Sequence, residues 1–163
     1  MRIVFHKISD AAHALELVRD SGERERVECE TRSVLVHDFL HLAVEERAGL
    51  DCGFWGTLAK GKTLADMNDR TGQRLLDESP AIMQTERIVG ALSMAAKGRS
   101  PGDVVSALAA YSSELAVEMP EWLTEGFVAG VQERLRQLRG RWNATPYGGS
   151  MDVEWKPQPT RLA

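Results

Sequence analysis

The spacing of apolar residues changes at Ser33, and this change constrains the fold more than any other feature of the sequence. Before it, residues 2–8, 13–18 and 24–31 alternate apolar with polar side chains, which is typical of strands buried on one side. After it, residues 34–48 place apolar side chains at helical spacing. Strands followed by helices predict an α+β fold, in which a small antiparallel sheet of about three strands packs on about four to five helices.

Proline and glycine positions divide the rest of the chain into further segments. Ser33 is the predicted N-cap of the first helix, and Gly49 is its predicted C-terminal cap. The glycine-rich segment 49–63 is expected to be a loop whose aromatic residues, Phe54 and Trp55, either face a ligand or, as the favoured alternative, fill the core between the sheet and the helices. Further helices are predicted at about residues 63–77, 80–97, 102–118 and 120–140, with Pro80, Pro101 and Pro120 at helix starts and Gly98 and Gly140 at helix ends.

The carboxyl-terminal part of the chain returns to a strand-like pattern. Residues 151–155, MDVEW, predict a fourth strand that joins the amino-terminal sheet. A chain of 163 residues is long enough to bury one core of its own. We therefore expect residues 1–155 to form a single globular domain, followed by a loose tail at 156–163.

Charge and composition exclude several classes of partner. The net charge of -4 disfavours nucleic acid and anionic lipid, because both attract cationic surfaces. Apolar runs are short and interrupted by charges, so no membrane span is predicted, and the first residues do not resemble a secretory signal. Cys29 and Cys52 are too few for a disulfide framework. These features together predict a cytoplasmic protein with reduced thiols.

The stretch of the sequence that most suggests chemistry is HDFLH, residues 37–41. His37 and His41 are four residues apart, so on a helix their imidazoles lie on one face and can bind one metal ion. Asp38 follows the first histidine, where HExxH metal helices carry a glutamate that acts as general base. Glu45 extends the stripe, but it lies about 12 Å along the helix from His37, too far to share an ion with it. Glu45 is therefore expected to pair with His41, or else the third ligand comes from another element.

Glu86 is the principal candidate for the third ligand. It places a carboxylate on an otherwise apolar helical stripe, where burial requires a partner. His6 and His13, on the predicted strands, are the alternatives. A set of His37, His41 and Glu86 matches the two-histidine, one-carboxylate sites that bind divalent zinc or iron, and zinc is the expected ion ahead of iron.

The motif HDFLH resembles the HDxxH motif of the ubiquinone-biosynthesis proteins that carry a zinc-binding helix. In that family a glutamate about a dozen residues after the second histidine completes the motif, whereas this chain has Gly53 there and its nearest acids are Glu45, Glu46 and Asp51. The resemblance implies metal binding more than quinone chemistry. The longer run HDFLHLAVEERAGLDCGFWG is similar to a pattern in bacterial proteins that have no established activity.

Two functional hypotheses follow from these observations. The first is a small metal-binding protein that acts as a metal-dependent hydrolase, with Asp38 as catalytic base and Phe54 and Trp55 lining the approach of a small-molecule substrate. The second is a non-enzymatic binding or assembly module that forms a homodimer, in which the histidine helix is only structural. The first requires His37, Asp38 and His41 to face a cavity, and the second does not.

Overall fold

The computed structural model describes residues 1–67, 80–94, 97–115 and 119–156 of the chain. Its sheet has four antiparallel strands in the order β3-β2-β1-β4. The strands are β1 (Arg2–Lys7), β2 (Ala12–Val18), β3 (Arg24–Glu30) and β4 (Ser150–Glu154). The predicted α+β class, the three-stranded meander and the fourth strand from the carboxyl-terminal part are therefore confirmed. Of the predicted tail, only Lys156 lies within the described residues.

The register of the sheet gathers its apolar residues on one face. Ile3 lies opposite Leu17 on one side and Val153 on the other, and Phe5 lies opposite Leu15 and Met151. All six side chains are buried, because residues directly opposite each other in a sheet share a face. This face carries the helices: the ring of Phe5 lies 5.1 Å from that of Phe39.

The helices follow the predicted order with shifted ends. A π-helical turn at Thr31–Leu35 leads into α1 (Val36–Ala48), and Gly49 ends α1 in the left-handed conformation, as predicted. Ser33 is not the N-cap: it lies inside the turn, and the carboxylate of Glu30 accepts the backbone N–H groups of Arg32 and Ser33. The remaining helices are α2 (Phe54–Ala59), α3 (Leu64–Met67), α4 (Pro80–Leu92), α5 (Pro101–Leu115) and α6 (Glu125–Ala144).

Two predictions about the helices are wrong. The segment expected to be a loop contains α2, although its Trp55 is fully buried, as the core-filling alternative predicted. The last helix begins at Glu125, because the Thr124 hydroxyl accepts the Phe127 N–H, and it continues through Gly140 to Ala144. Of the helix predicted at 63–77, residues 68–77 lie outside the described part of the chain.

Helix α1 lies at the centre of the helical layer, where α6 packs against it. Gly130 of α6 gives room to the guanidinium of Arg47, which donates a hydrogen bond to the Gly126 carbonyl at 3.1 Å and lies over the Phe127 ring. A side chain at position 130 would collide with that guanidinium. Most of α1 is buried, so polar residues on its inner side need partners inside the protein. Within the described residues, no helix has the length and hydropathy to cross a bilayer.

Candidate metal centre

Three predicted ligands come together at the contact between α1 and α4. His37 and His41, on successive turns of α1, and Glu86 of α4 offer ligand atoms that all lie within 4.8 Å of one another. The two imidazole centroids are 4.6 Å apart. The structure thus contains the group predicted from the sequence, and this group can hold a metal ion.

The most deeply placed ligand atom in the group is Nε2 of His41. The side chain of His41 is only 1% exposed, and its Nε2 makes no hydrogen bond within the described structure. The nearest oppositely charged atom is Oε1 of Glu86 at 3.4 Å. Two ligands of one tetrahedral zinc, each about 2.0–2.1 Å from the ion, lie about 3.4 Å apart, so this separation suits a shared ion. His37 is at the surface, and Glu86 is partly buried.

Each member of the group has a pKa that its neighbours displace. Burial by itself lowers the pKa of His41, but its hydrogen bond to Glu45 and the negative charges of Glu45 and Glu86 outweigh burial and raise that pKa to about 9. Burial by itself raises the pKa of Glu86, yet the adjacent His41 holds it below the usual value. Partial desolvation and the nearby His41 lower the pKa of His37. Without metal at neutral pH, a His41 cation therefore lies between two carboxylates, beside a neutral His37.

Glu45 supports the group from the side opposite Glu86. Its Oε1 accepts hydrogen bonds from Nδ1 of His41 and from the backbone N–H of Phe54, both at 2.9 Å. Its Oε2 accepts the backbone N–H groups of Trp55 at 3.0 Å and Gly56 at 3.3 Å. The side chain is 0% exposed, so burial raises the pKa of this carboxyl, and the His41 and backbone hydrogen bonds oppose that change. The predicted pairing of Glu45 with His41 is thus present.

The glycines around α2 let its backbone reach this carboxylate. A Cβ atom at Gly53 would overlap the carboxylate of Glu45, and one at Gly56 would overlap the backbone of Asp51. The first turn of α2 can therefore pack directly against Glu45. The carboxylate accepts the first N–H groups of α2, which have no partner within the helix itself. Two glycines on either side of Phe54 and Trp55 indicate that the backbone approaches another group closely there. They do not indicate that this group is the carboxylate of Glu45.

The other predicted site residues lie around the group. Asp38 is buried and is not one of the three clustered residues, so its role as a base stays a prediction. Phe54 is partly buried, and its ring centroid lies 5.6 Å from that of His41. Trp55 is fully buried, and its indole N–H donates to the Asp38 carbonyl. Phe54 is therefore the aromatic residue that borders the group, and Trp55 belongs to the core.

The alternative ligands on the strands lie elsewhere. His6 is on the sheet face opposite the helices, and its Nε2 is 2.7 Å from a carboxylate oxygen of Glu16. His13 is buried at the other face, between the rings of Phe5 and Trp142. Neither joins the group of His37, His41 and Glu86.

A pocket of about 370 Å³ lies on a different side of α1. Charged and small residues line it, and within it Arg134 and Glu46 form a bidentate ion pair. None of its lining residues belongs to the histidine group, so this pocket gives no access to it. The lining residues are Ala43, Glu46, Arg47, Gly130, Arg134, Glu154 and Lys156.

Comparison of the chain with family models, with curated proteins and with solved structures finds no match. The geometry of the site is therefore the basis for any statement about function.

Proposed function

We propose that this protein binds one divalent metal ion through His37, His41 and Glu86, and that the ion is zinc ahead of iron. The observation that carries the proposal is the buried Nε2 of His41, which has no hydrogen bond within the described structure and is directed to Glu86. A buried polar nitrogen without a hydrogen bond is costly, and coordination of a metal removes that cost. His37 supplies a second nitrogen on the same helix face.

The chemistry of the donors favours zinc. Two imidazole nitrogens and one carboxylate oxygen are a common ligand set for zinc with an open fourth position. Water in that position becomes acidic enough to supply hydroxide near neutral pH, which is the basis of zinc hydrolases. The proposed activity is hydrolysis of a polar bond in a small molecule, with Phe54, which borders the group, lining the approach of the substrate and Asp38 as the proposed base.

The alternative of a homodimeric module has less support on the surface. The exposed large apolar residues among those described are Ile8 and Tyr147, and the hydroxyl of Tyr147 bonds to Asp10. The small residues of α6 contact Arg47 of the same chain. This face of α6 is thus occupied within one copy, and the oligomeric state stays a prediction.

Metal content decides the proposal. Tag-free protein is loaded separately with zinc and with iron, desalted and analysed by mass spectrometry, beside His41→Ala and the control His6→Ala. We expect close to one zinc per chain in the wild type and in His6→Ala, and loss of that zinc in His41→Ala. His6 is a suitable control because it also pairs with a glutamate, on the opposite face of the sheet. Equal zinc in His41→Ala and wild type, or none in the wild type, would exclude this site.

A further inference from the structure

The geometry points to Glu45 as a positioning residue of the metal centre. Its carboxylate accepts a hydrogen bond from the Nδ1–H group of His41, and this bond orients the ring so that Nε2 faces the ion. This inference rests on the proposed function, because it concerns how the same site is held ready for metal. It assigns to Glu45 a role different from that of a ligand, since its two oxygens already accept four N–H groups.

The hydrogen-bond donors around Glu45 determine the tautomer of His41. Both carboxylate oxygens accept backbone N–H groups from α2, so Glu45 is an acceptor on each oxygen. The ring nitrogen at 2.9 Å from Oε1 must then be the donor, which places a proton on Nδ1. A histidine that keeps its proton on Nδ1 has the lone pair on Nε2 when it is neutral. That is the nitrogen that lies 3.4 Å from Glu86.

Glu45 is itself held without freedom to turn. Its side chain is 0% exposed, and three backbone N–H groups fix the plane of the carboxylate. Gly53 leaves room for that carboxylate, because a Cβ atom at this position would overlap it. A metal ligand supported by a carboxylate in this way has a fixed ring orientation, and loss of such support commonly lowers metal affinity by about 10–100-fold.

The same carboxylate links the metal centre to the core. The backbone N–H groups that bond to Glu45 belong to the first turn of α2. Two residues of this helix, Trp55 and Leu58, are fully buried. Trp55 lies against Phe5 of the sheet, with ring centroids 6.3 Å apart. The orientation of His41 is therefore set by a chain of contacts that reaches the sheet, and α1 does not fix it alone.

The test compares Glu45→Gln with two control variants. Zinc affinity is measured by competition with a chromophoric chelator, and cobalt(II) binding is followed by visible absorption. We expect the zinc affinity of Glu45→Gln to fall by about 10–100-fold, with an altered cobalt spectrum. Val153→Ala removes buried volume from β4, which supplies none of the N–H groups that hold Glu45, and Glu16→Gln alters the other histidine–glutamate pair. Both controls should keep the wild-type affinity and spectrum.

The outcomes separate this inference from the proposal on which it rests. Wild-type protein that does not bind zinc overturns both, whereas zinc binding by Glu45→Gln with wild-type affinity and spectrum overturns only the role of Glu45. An equal loss of affinity in Val153→Ala also overturns it, because general destabilisation of the fold would then suffice. If Glu45→Gln does not fold, nitrogen NMR of zinc-loaded wild type decides: zinc on Nε2 and a proton on Nδ1 of His41 support the inference, and zinc on Nδ1 overturns it.

Discussion

Two hydrogen-bonded histidine–glutamate pairs lie among the described residues, and their surroundings differ sharply. His6 and Glu16 meet on the sheet face opposite the helices, 2.7 Å apart, with side chains that are 25% and 14% exposed. His41 and Glu45 meet inside the helical layer at 2.9 Å, with side chains that are 1% and 0% exposed. Contact distance is thus nearly equal in the two pairs, and burial separates them.

The second difference is which ring nitrogen meets the carboxylate. His6 meets Glu16 through Nε2, and the same glutamate also accepts a hydrogen bond from Arg24. His41 meets Glu45 through Nδ1, so its Nε2 faces another helix and another carboxylate. A histidine–glutamate contact alone is therefore not evidence of a metal centre. A buried second nitrogen that faces further ligands is the feature that makes the His41 pair a candidate.

Removing a carboxylate from each region gives the sharpest test of this comparison. We expect Glu86→Ala to weaken zinc binding by about 100–1,000-fold, and Glu16→Ala to leave it unchanged. Four-ligand structural zinc sites gain roughly 10–16 kcal/mol, so one ligand accounts for about 3–4 kcal/mol. Titration against a competing chelator measures both affinities. An unchanged affinity in Glu86→Ala would mean that zinc binds outside the α1–α4 contact.

The buried pair should make the stability of metal-free protein depend on pH. The pKa of His41 rises from 6.5 to about 9 on folding, so its protonated form stabilises the folded state. This stabilisation is complete below pH 6.5 and is lost as the pH rises through about 9. It amounts to at most about 3 kcal/mol, because one unit of pKa corresponds to about 1.4 kcal/mol. Urea unfolding in the presence of a chelator, repeated across this pH range, measures it.

Substitution at each histidine assigns that pH dependence. His41→Gln should abolish the decrease in unfolding free energy between pH 6.5 and 9, and His6→Gln should retain it. Glutamine approximates the size of the neutral ring without the titrating proton. A decrease of the same size in His41→Gln would show that other groups cause it, and the buried pair would then have no special electrostatic role.

Most of the fold was predictable because its signals are local. Alternation in the first thirty residues and in residues 151–155 predicted four strands, and all four are present. Helix ends were less predictable, because a cap is one hydrogen bond among several competing acceptors. Glu30 caps the turn before α1, although serine, the residue type at position 33, is the commoner N-cap. Gly140 lies inside α6 despite the low helix propensity of glycine.

The site was predictable to the extent that helical spacing defines it. His37 and His41 follow from their separation of four residues, and Glu86 follows from a carboxylate on an apolar stripe. The supporting role of Glu45 could not be derived, since it depends on α2 folding back so that three of its N–H groups reach one side chain. That closure is a tertiary contact across a short loop, and Gly53 and Gly56 indicate only a close approach of the backbone, without identifying Glu45 as the group approached.

Substitution of two glycines gives the smallest expected effect. A Cβ atom at Gly53 would overlap another side chain, whereas one at Gly140 would lie in open space. Gly53 has φ of -80°, which alanine adopts readily, so the cost of Gly53→Ala comes only from overlap with the Glu45 carboxylate. We expect a loss of about 1–3 kcal/mol in unfolding free energy, as for overpacking in a core. Gly140 has open space at its Cβ position within α6, so Gly140→Ala should gain about 0.5–1 kcal/mol. Urea unfolding at one pH compares them. If Gly53→Ala is as stable as the wild type, the carboxylate can move, and the rigid support of His41 that distinguishes the buried pair from the His6 pair is lost as an explanation.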